Sequence, residues 1–493
     1  MTTAVIAAYL ALVLVIGALS HRLFRGTGED FFLATRTIGP FLLLMSLFGT
    51  HMTAFALLGA SGEAYHEGIG VFALMASSSA IVVPAVFLFL GPRLWALGKA
   101  NGFLTQAEFF RVRFQSGLLG LAVFVILVGL LVPYLLIGVM GGGLTLASLT
   151  DDAVPAWLGS AIVCAVVLAY VTVGGLRGTA WANAFQTLVF MTLGVITFAV
   201  VTTRMGGLPA AMARVAEAHP DLLVRGDHIA PLKLLSYTFI PLSAGMFPHL
   251  FMHWLSARSA ATFRLPLVFY PLCIAVVWLP SVLLGTLGSV EFPGLVGKES
   301  NSILVEMIGR HAPAALAGLL AAGVVAAIMS SLDSQVLALG TMFTHDVVRR
   351  YRTKAPMTEA AEVRAGRWFV AAVVLLTWGL SLVTKRSIFK LGVWSFTGFA
   401  ALVPLVVAAL YWRRATRAGA FAGLATVAVL WLVYFRRGWV DPGYTVGGSG
   451  LLPVAVIVVA AALAMVVVSL LTKPPDDAVL ARFFDLRDPS ETP

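Results

Sequence analysis

Two cysteines among 493 residues, Cys164 and Cys273, are too few for a disulfide scaffold or a CxxC metal site. Both fall inside apolar runs and read as small core residues. Charge is scarce as well: Asp, Glu, Lys and Arg make 11% of the chain, against roughly 25% in an ordinary soluble domain. That deficit excludes a soluble globular protein. No basic stripe carries interleaved aromatics, so the net charge of +10 is not the footprint of a nucleic-acid binder. No hydrophilic stretch has the length of a second domain. The longest, near 204–233, mixes charge signs and carries Pro209, Pro220 and Pro231, which predicts a loop with a short surface helix. The first apolar run has no basic flank ahead of it and ends at His21-Arg22 rather than at a small-residue cleavage site, so it is expected to remain as a helix.

What fills the chain is hydrophobic: such residues make 59% of it, and the mean hydropathy is +0.94. Apolar runs of roughly 20 residues predict an all-α, multi-pass protein of the cell membrane with about thirteen spans. They lie near 4–21, 39–60, 69–91, 117–149, 156–174, 181–203, 234–256, 266–288, 313–344, 367–384, 388–412, 418–435 and 451–471. With the N-terminus outside, the inner loops hold 22 of the 33 Lys and Arg residues and the outer loops 11, a bias that places the C-terminus inside. The loop carrying Lys385, Arg386 and Lys390 runs against that rule.

Spans two to six and seven to eleven are five helices each. Because five is odd, the two sets cross the membrane in opposite senses, the pattern of an inverted repeat. The expected divisions are a peripheral helix and inner loop at 1–38, a first repeat at 39–203, an outer loop at 204–233 and a second repeat at 234–412. Two further helices at 413–475 and a cytoplasmic tail at 476–493 complete the chain. Each repeat opens with an interrupted helix, the first at Gly49-Thr-His-Met-Thr53 and the second at Pro241, Gly245 and Pro248. Single Gly and Pro residues are common in membrane helices, but interruptions at matching places in two halves point to a midplane site, since unwound backbone is tolerated where it lines a cavity.

A later helix carries Ala326-Ala-Ile-Met-Ser-Ser-Leu-Asp-Ser-Gln335. Ala327, Ser330 and Ser331 stand at i, i+3 and i+4 and share a face. A carbonyl and two hydroxyls are half the shell of a small hard cation. The ordinary alternative is back-bonding of the serines to their own helix, or a helix–helix contact. His249 and His253 also stand at i, i+4, but no third ligand accompanies them, so a transition-metal site is not expected.

Several tracts, in order along the chain, resemble those of the sodium:solute symporter family. They are Asp30-Phe-Phe-Leu-Ala-Thr-Arg36, Gln106-Ala-Glu-Phe-Phe-Arg-Val-Arg-Phe114, Gly174-Gly-Leu-Arg-Gly-Thr-Ala-Trp181, the Ser330-Ser331 helix and Tyr411-Trp-Arg-Arg-Ala-Thr-Arg417. The resemblance implies a LeuT-type 5+5 inverted repeat and sodium-coupled import of a small organic solute by alternating access. Carried to the matching residues, it implies a sodium site built from the carbonyls of Gly49, Met52 and Ala327 and the hydroxyls of Ser330 and Ser331. Sodium would be the transported coupling ion, with no organic cofactor. Many relatives carry an Asp where this chain has Asn183, and some use it for a second sodium. Here Asp333, with Ser334 beside it, supplies a carboxylate in the ion-site helix instead, so Asn183, Asp333 and Ser334 form a candidate second cation site. A carboxylate inside a membrane costs about 2.5–3.5 kcal/mol on insertion scales, so a partner is expected, an arginine such as Arg177 or Arg258 among the candidates.

His51 stands where proline-type relatives often have Asp and galactose-type relatives Asn; an imidazole there could bond an anionic solute or report pH. The candidate solute residues are His51, Thr53, Phe55 and Ala56 of the first broken helix, Tyr134 and Gly138 of the fourth span, Met246 and Phe247 of the seventh, and Trp394, Ser395 and Phe396 of the eleventh. Phe55 and Ala56 replace the Glu and Gln of galactose-type relatives, and Gly138 replaces a common Gln. That disfavours a hexose and favours a monocarboxylate or amino acid. An intramembrane enzyme would need a nucleophile with its base, which the chain does not offer. A transporter-like sensor fused to a signalling domain is disfavoured by the short tail after Lys473, and proton coupling on the same fold stays open. The partners expected are the solute and membrane lipid, not nucleic acid, with the chain functional as a monomer.

Overall fold

The computed structural model describes residues 36–226, 229–351 and 358–485, with positions 4, 5, 7–9, 11, 12 and 15 of the first apolar run and without the side chains of 170, 172–178, 359 and 360. The architecture is all helical. Among the described residues the one β contact is an isolated parallel bridge between Ile38 and Ala257. In chain order the helices are α1 (Pro40–His51), α2 (Phe55–Glu67), α3 (Phe72–Asn101), α4 (Gln106–Arg113), α5 (Gly117–Leu149) and α6 (Ala156–Arg204). Then follow α7 (Leu208–Ala218), α8 (Pro231–Tyr237), α9 (Pro248–Leu255), α10 (Arg264–Glu291), α11 (Ile303–His311) and α12 (Ala314–Met342). The last six are α13 (Glu359–Val383), α14 (Ile388–Ala401), α15 (Val403–Tyr411), α16 (Arg417–Val440), α17 (Pro453–Leu471) and α18 (Asp477–Phe484).

Among the described residues 9 helices are long and apolar enough to cross a membrane, or 10 when the bent pair α1–α2 is taken as one span. The first expected span lies mostly outside the described residues. Residues Ala156–Ala169 form a shorter apolar stretch, and α8–α9 is divided into pieces below spanning length. The expected surface helix in 204–233 is α7.

Two expected runs carry further detail. The backbone is helical across the spans placed at 156–174 and 181–203, and within it Thr179–Arg204 is long and apolar enough to cross a membrane while Ala156–Ala169 is a shorter apolar stretch. Gly174 and Gly175 only weaken a helix, and no proline occurs between 156 and 204 to remove a donor. The run placed at 388–412 is one span, Ile388–Tyr411, with a local turn at Leu402, where Pro404 cannot donate and α15 restarts with that proline in its first turn.

The centre of the fold is α12. Its apolar window is 83% buried, against 28% for α13 and for α16, so α12 is a core pillar while those two face outward. Small residues make this possible, because they let helix backbones approach where lipid supplies no hydrophobic drive to associate. A Cβ on Gly138 of α5 would lie 2.7 Å from the Leu332 side chain of α12.

Both broken helices are present. α1 and α2 meet at an angle of 59°. Thr53 makes the break: its Oγ1 accepts from Phe55 N–H at 2.9 Å and its carbonyl accepts from Ala56 N–H at 3.0 Å. Those two N–H groups would bond His51 and Met52 in an unbroken helix, so α2 starts afresh with a Thr cap. In the second broken helix, a 3-10 turn over Ile240–Gly245 leads to Phe247, extended at φ −68° and ψ 120° as a residue before proline should be, and Pro248 opens α9. The start of the first broken helix and the end of the second are tied together. Arg258 N–H donates to Ile38 O at 2.9 Å, and Arg36 donates to Leu255 O and Gly98 O, each at 3.0 Å.

Candidate functional site

The last four carbonyls of a helix lack internal partners, and the negative end of the helix dipole gathers there. In α1 those carbonyls belong to residues Gly49 through Met52, at the break and against α12. Ser330 Oγ lies 2.7 Å from Gly49 O and 3.0 Å from Ala327 O, all of them buried. Three of the five predicted sodium oxygens therefore converge on one point between two helices. Ser331 Oγ donates to Ile328 O at 3.2 Å, the back-bonding geometry, and Met52 ends α1 with extended backbone at φ −83° and ψ 109°. Neutral oxygens aimed at one point beside a helix C-terminus can hold a monovalent cation without trapping it. The approach of α1 to α6 also needs Gly49: a Cβ there would lie 2.0 Å from Thr187 Oγ1 and 3.1 Å from Asn183 O.

One turn along α12, Asp333 is fully buried. Its neighbours are the two residues grouped with it from the sequence. With the Asn183 amide nitrogen toward α12, it donates to Asp333 Oδ1 at 3.0 Å, Asp333 Oδ2 at 3.1 Å and Ser330 O at 3.0 Å, while its oxygen accepts from Ser334 Oγ at 2.7 Å. Asn183, Asp333, Ser334 and Ser330 thus form one connected polar layer beside the first site. Of the suggested arginines, Arg258 is exposed and the Arg177 side chain lies outside the described residues. Tyr9, a buried residue of the first apolar run, turns toward Gln186 and lies within reach of the Asp333 charge; both were missed, since neither carries a local signal.

The second broken helix meets the first across aromatic rings. His51 and Phe247 have ring centroids 5.7 Å apart. Tyr134, Phe247 and Phe396 form a triangle with centroid separations of 5.1, 5.0 and 5.5 Å. Phe55 meets Phe396 edge-on at 5.0 Å and stacks on Phe389 at 4.8 Å. Five of the predicted solute residues therefore share one packed aromatic cluster, the candidate solute chamber, with Ala56 and Met246 also buried.

The remaining candidates do other work. Thr53 caps α2, Gly138 is filled against by Leu332, and the Ser395 hydroxyl donates to Leu130 O at 2.9 Å. Trp394 faces away, packing on Phe435 at 5.6 Å and on Gly438 of α16. Residues two apart on a helix point about 200° apart, so Trp394 and Phe396 could not both line the chamber.

Two chamber residues were not predicted as solute contacts. Tyr270 OH lies 2.5 Å from His51 Nδ1, which holds that imidazole in place. His249, in the first turn of α9, stacks on Phe247 at 5.2 Å and lies 5.6 Å from Tyr134 by ring centroids. Both His249 ring nitrogens and the Tyr134 hydroxyl are buried with no hydrogen-bond partner. His253, one turn on, is likewise buried, and no group of three or more metal-ligating side chains occurs among the described residues.

A model of the sodium:solute symporter family matches residues 31–426. The chain belongs to that family. It is 26% identical to a sodium/proline symporter of Salmonella typhimurium over 92% of this chain and 90% of the relative. It is 27% identical to a sodium/pantothenate symporter of Escherichia coli over 86% and 89%. Among solved structures it resembles a sodium-coupled sialic acid symporter in a substrate-bound, outward-open state, with a TM-score of 0.79 at 16% identity over 96% of this chain and 98% of that one. The fold is the LeuT type, and the protein is a sodium-coupled solute symporter of the multi-pass cell membrane rather than an enzyme.

Proposed function

We propose that this symporter imports a small carboxylate-bearing solute, an amino or imino acid or a monocarboxylate rather than a sugar, with sodium bound by Gly49, Met52, Ala327, Ser330 and Ser331. The observation that carries the solute class is the chamber's chemistry. Its walls are apolar rings, and its unpartnered polar groups are the imidazole of His249 and the hydroxyl of Tyr134, beside the start of α9. A buried polar group without a partner costs about 1–3 kcal/mol, and a carboxylate satisfies both groups at once while the helix N-terminus favours its charge. A hexose would need more hydrogen-bonding groups than these walls present. The named solutes of the relatives, proline and pantothenate, both carry a carboxylate, which supports the same reading.

The mechanism is alternating access, with the N-terminus outside and the C-terminus inside as the Lys and Arg bias supports. Sodium entering from outside draws the end of α1 onto α12, which sets the break and its capped α2 against the chamber. The solute then binds, and both leave inward. One charge falling through ~100 mV yields about 2.3 kcal/mol, and a tenfold sodium gradient adds roughly 1.4 kcal/mol. Together these allow roughly 500-fold accumulation of a neutral or zwitterionic solute with one sodium, but only about tenfold for an anion, whose charge cancels the electrical part.

A second cation would restore that electrical part, and buried Asp333 beside Asn183 and Ser334 is the observation that favours one, either sodium or a proton. The working unit in this proposal is a monomer in the lipid bilayer. The test is uptake of labelled L-proline, pyruvate and galactose into proteoliposomes under an inward sodium gradient. Sodium-driven uptake of a carboxylate solute without galactose uptake supports the proposal; galactose uptake alone contradicts it.

A further inference from the structure

Lys390 breaks the charge rule that orients the rest of the chain, and its surroundings suggest why. A cavity of about 290 Å³ lies between the far end of α2, α8, α14 and the α16–α17 connection, on the face proposed above as outer. α2 contributes Glu63 and Glu67, one turn apart on one face; α8 contributes Lys233 and Tyr237; α14 contributes Lys390 and Trp394. Glu67 and Lys233 form an ion pair at 3.1 Å. Glu63 and Lys390 line the same cavity and form no ion pair with each other within 4.0 Å. An amine and a carboxyl group thus line one cavity without pairing with each other, with the rings of Tyr237 and Trp394 in the same lining. The cavity floor leads to the solute chamber: Tyr237 lies 6.3 Å from Phe389 by ring centroids, and Phe389 stacks on Phe55.

We propose that this cavity is a loading site for a zwitterionic amino or imino acid, whose carboxylate binds Lys390 and whose ammonium binds Glu63, outside the Phe55–Phe389 stack and ahead of the chamber. The volume is near the lower end for small-ligand pockets, about 300 Å³, and suits a solute of few atoms. The charge count argues against the other solute classes. A monocarboxylate would satisfy Lys390 and leave Glu63 facing a second negative group. A sugar would use neither charge, and a separated pair of opposite charges is the complement of a molecule that carries both. The inference rests on the proposed transport of carboxylate solutes and narrows it to zwitterions.

The test measures initial uptake of labelled L-proline into proteoliposomes and its inhibition by cyclopentanecarboxylate, which keeps only the carboxylate, and by pyrrolidine, which keeps only the ammonium. Lys390→Gln is expected to weaken L-proline and cyclopentanecarboxylate by about fivefold, the scale of a charge contact in a wet cavity, and to leave pyrrolidine unchanged. Glu63→Gln is expected to weaken L-proline and pyrrolidine and leave cyclopentanecarboxylate unchanged, with maximal rates preserved in both variants. Equal shifts of all three compounds in both variants would mean that the two residues only form a gate pair, and would overturn the proposal; so would no shift in either. Should Glu63→Gln lose the sodium-induced thermal shift that reports a folded protein, the contrast between cyclopentanecarboxylate and pyrrolidine in Lys390→Gln decides alone. Sodium-driven uptake of pyruvate without any of L-proline by the wild type overturns the zwitterion site while sparing the transport reading; no uptake of either overturns both.

Discussion

Asn183 of α6 donates its amide to both oxygens of Asp333 on α12, at 3.0 and 3.1 Å, and accepts from Ser334 at 2.7 Å. An amide is the right partner for a buried carboxylate where a second carboxylate would repel it. Asn183→Asp therefore sets two acids in contact, a pair that needs a cation or a shared proton between them. The expected result is a protein whose melting temperature in detergent falls at low sodium and recovers as sodium is added, with a Hill coefficient for sodium-driven uptake above that of the wild type. Asp333→Asn is expected to weaken sodium affinity and lower the stoichiometry. If both measures match the wild type, Asp333 has no part in ion coupling.

Gly49 permits α1 to lie against α6. Gly49→Ala drives a methyl to within 2.0 Å of Thr187 Oγ1, an overpacking worth about 1–3 kcal/mol of stability. Thr187 Oγ1 also bonds Asn183 O and Met45 O, so the clash has no simple escape. Thr187→Ala removes the obstructing oxygen and should recover part of the loss in the double variant. Unfolding midpoints of the four proteins in this cycle measure the coupling, and strict additivity would show that the contact is not the cause.

His249 and Tyr134 hold the chamber's unpartnered polar atoms. Tyr134→Phe removes one hydroxyl with little change of shape, and His249→Phe removes both nitrogens. Each should leave the sodium-induced thermal shift in place and weaken solute binding by about tenfold, the scale of one hydrogen bond to a charged group. Isothermal titration with a transported carboxylate checks this. Unchanged solute affinity in both variants would place the carboxylate elsewhere.

The parts of the fold readable from the chain were those whose physics is local. Pro248 and the Gly49–Thr53 tract announce breaks because a missing donor or a competing hydroxyl acts within a few residues. The Ala327–Ser330–Ser331 face follows from helical spacing alone. Trp394, Ser395 and Phe396 were named as one tract, although neighbours on a helix face different ways, and of the three Phe396 is the one that joins the aromatic cluster. The Tyr270–His51 contact joins residues 219 apart, and no local pattern can encode it. Lys390 gave a signal of a different kind, a charge on the wrong side of the rule, whose meaning emerged only when Glu63 was found opposite.

The central claim is that sodium joins α1 to α12 through Gly49 O, Ala327 O and Ser330 Oγ. Sodium titration of the purified symporter, read as a thermal shift and as the half-saturating concentration for solute uptake, tests it in the wild type and in Ser330→Ala. Loss of one hydroxyl from a small oxygen shell should raise the half-saturating sodium concentration by about tenfold or more, with folding in high sodium retained. Equal sodium dependence in the two proteins, by both readouts, would contradict the assignment of the sodium site.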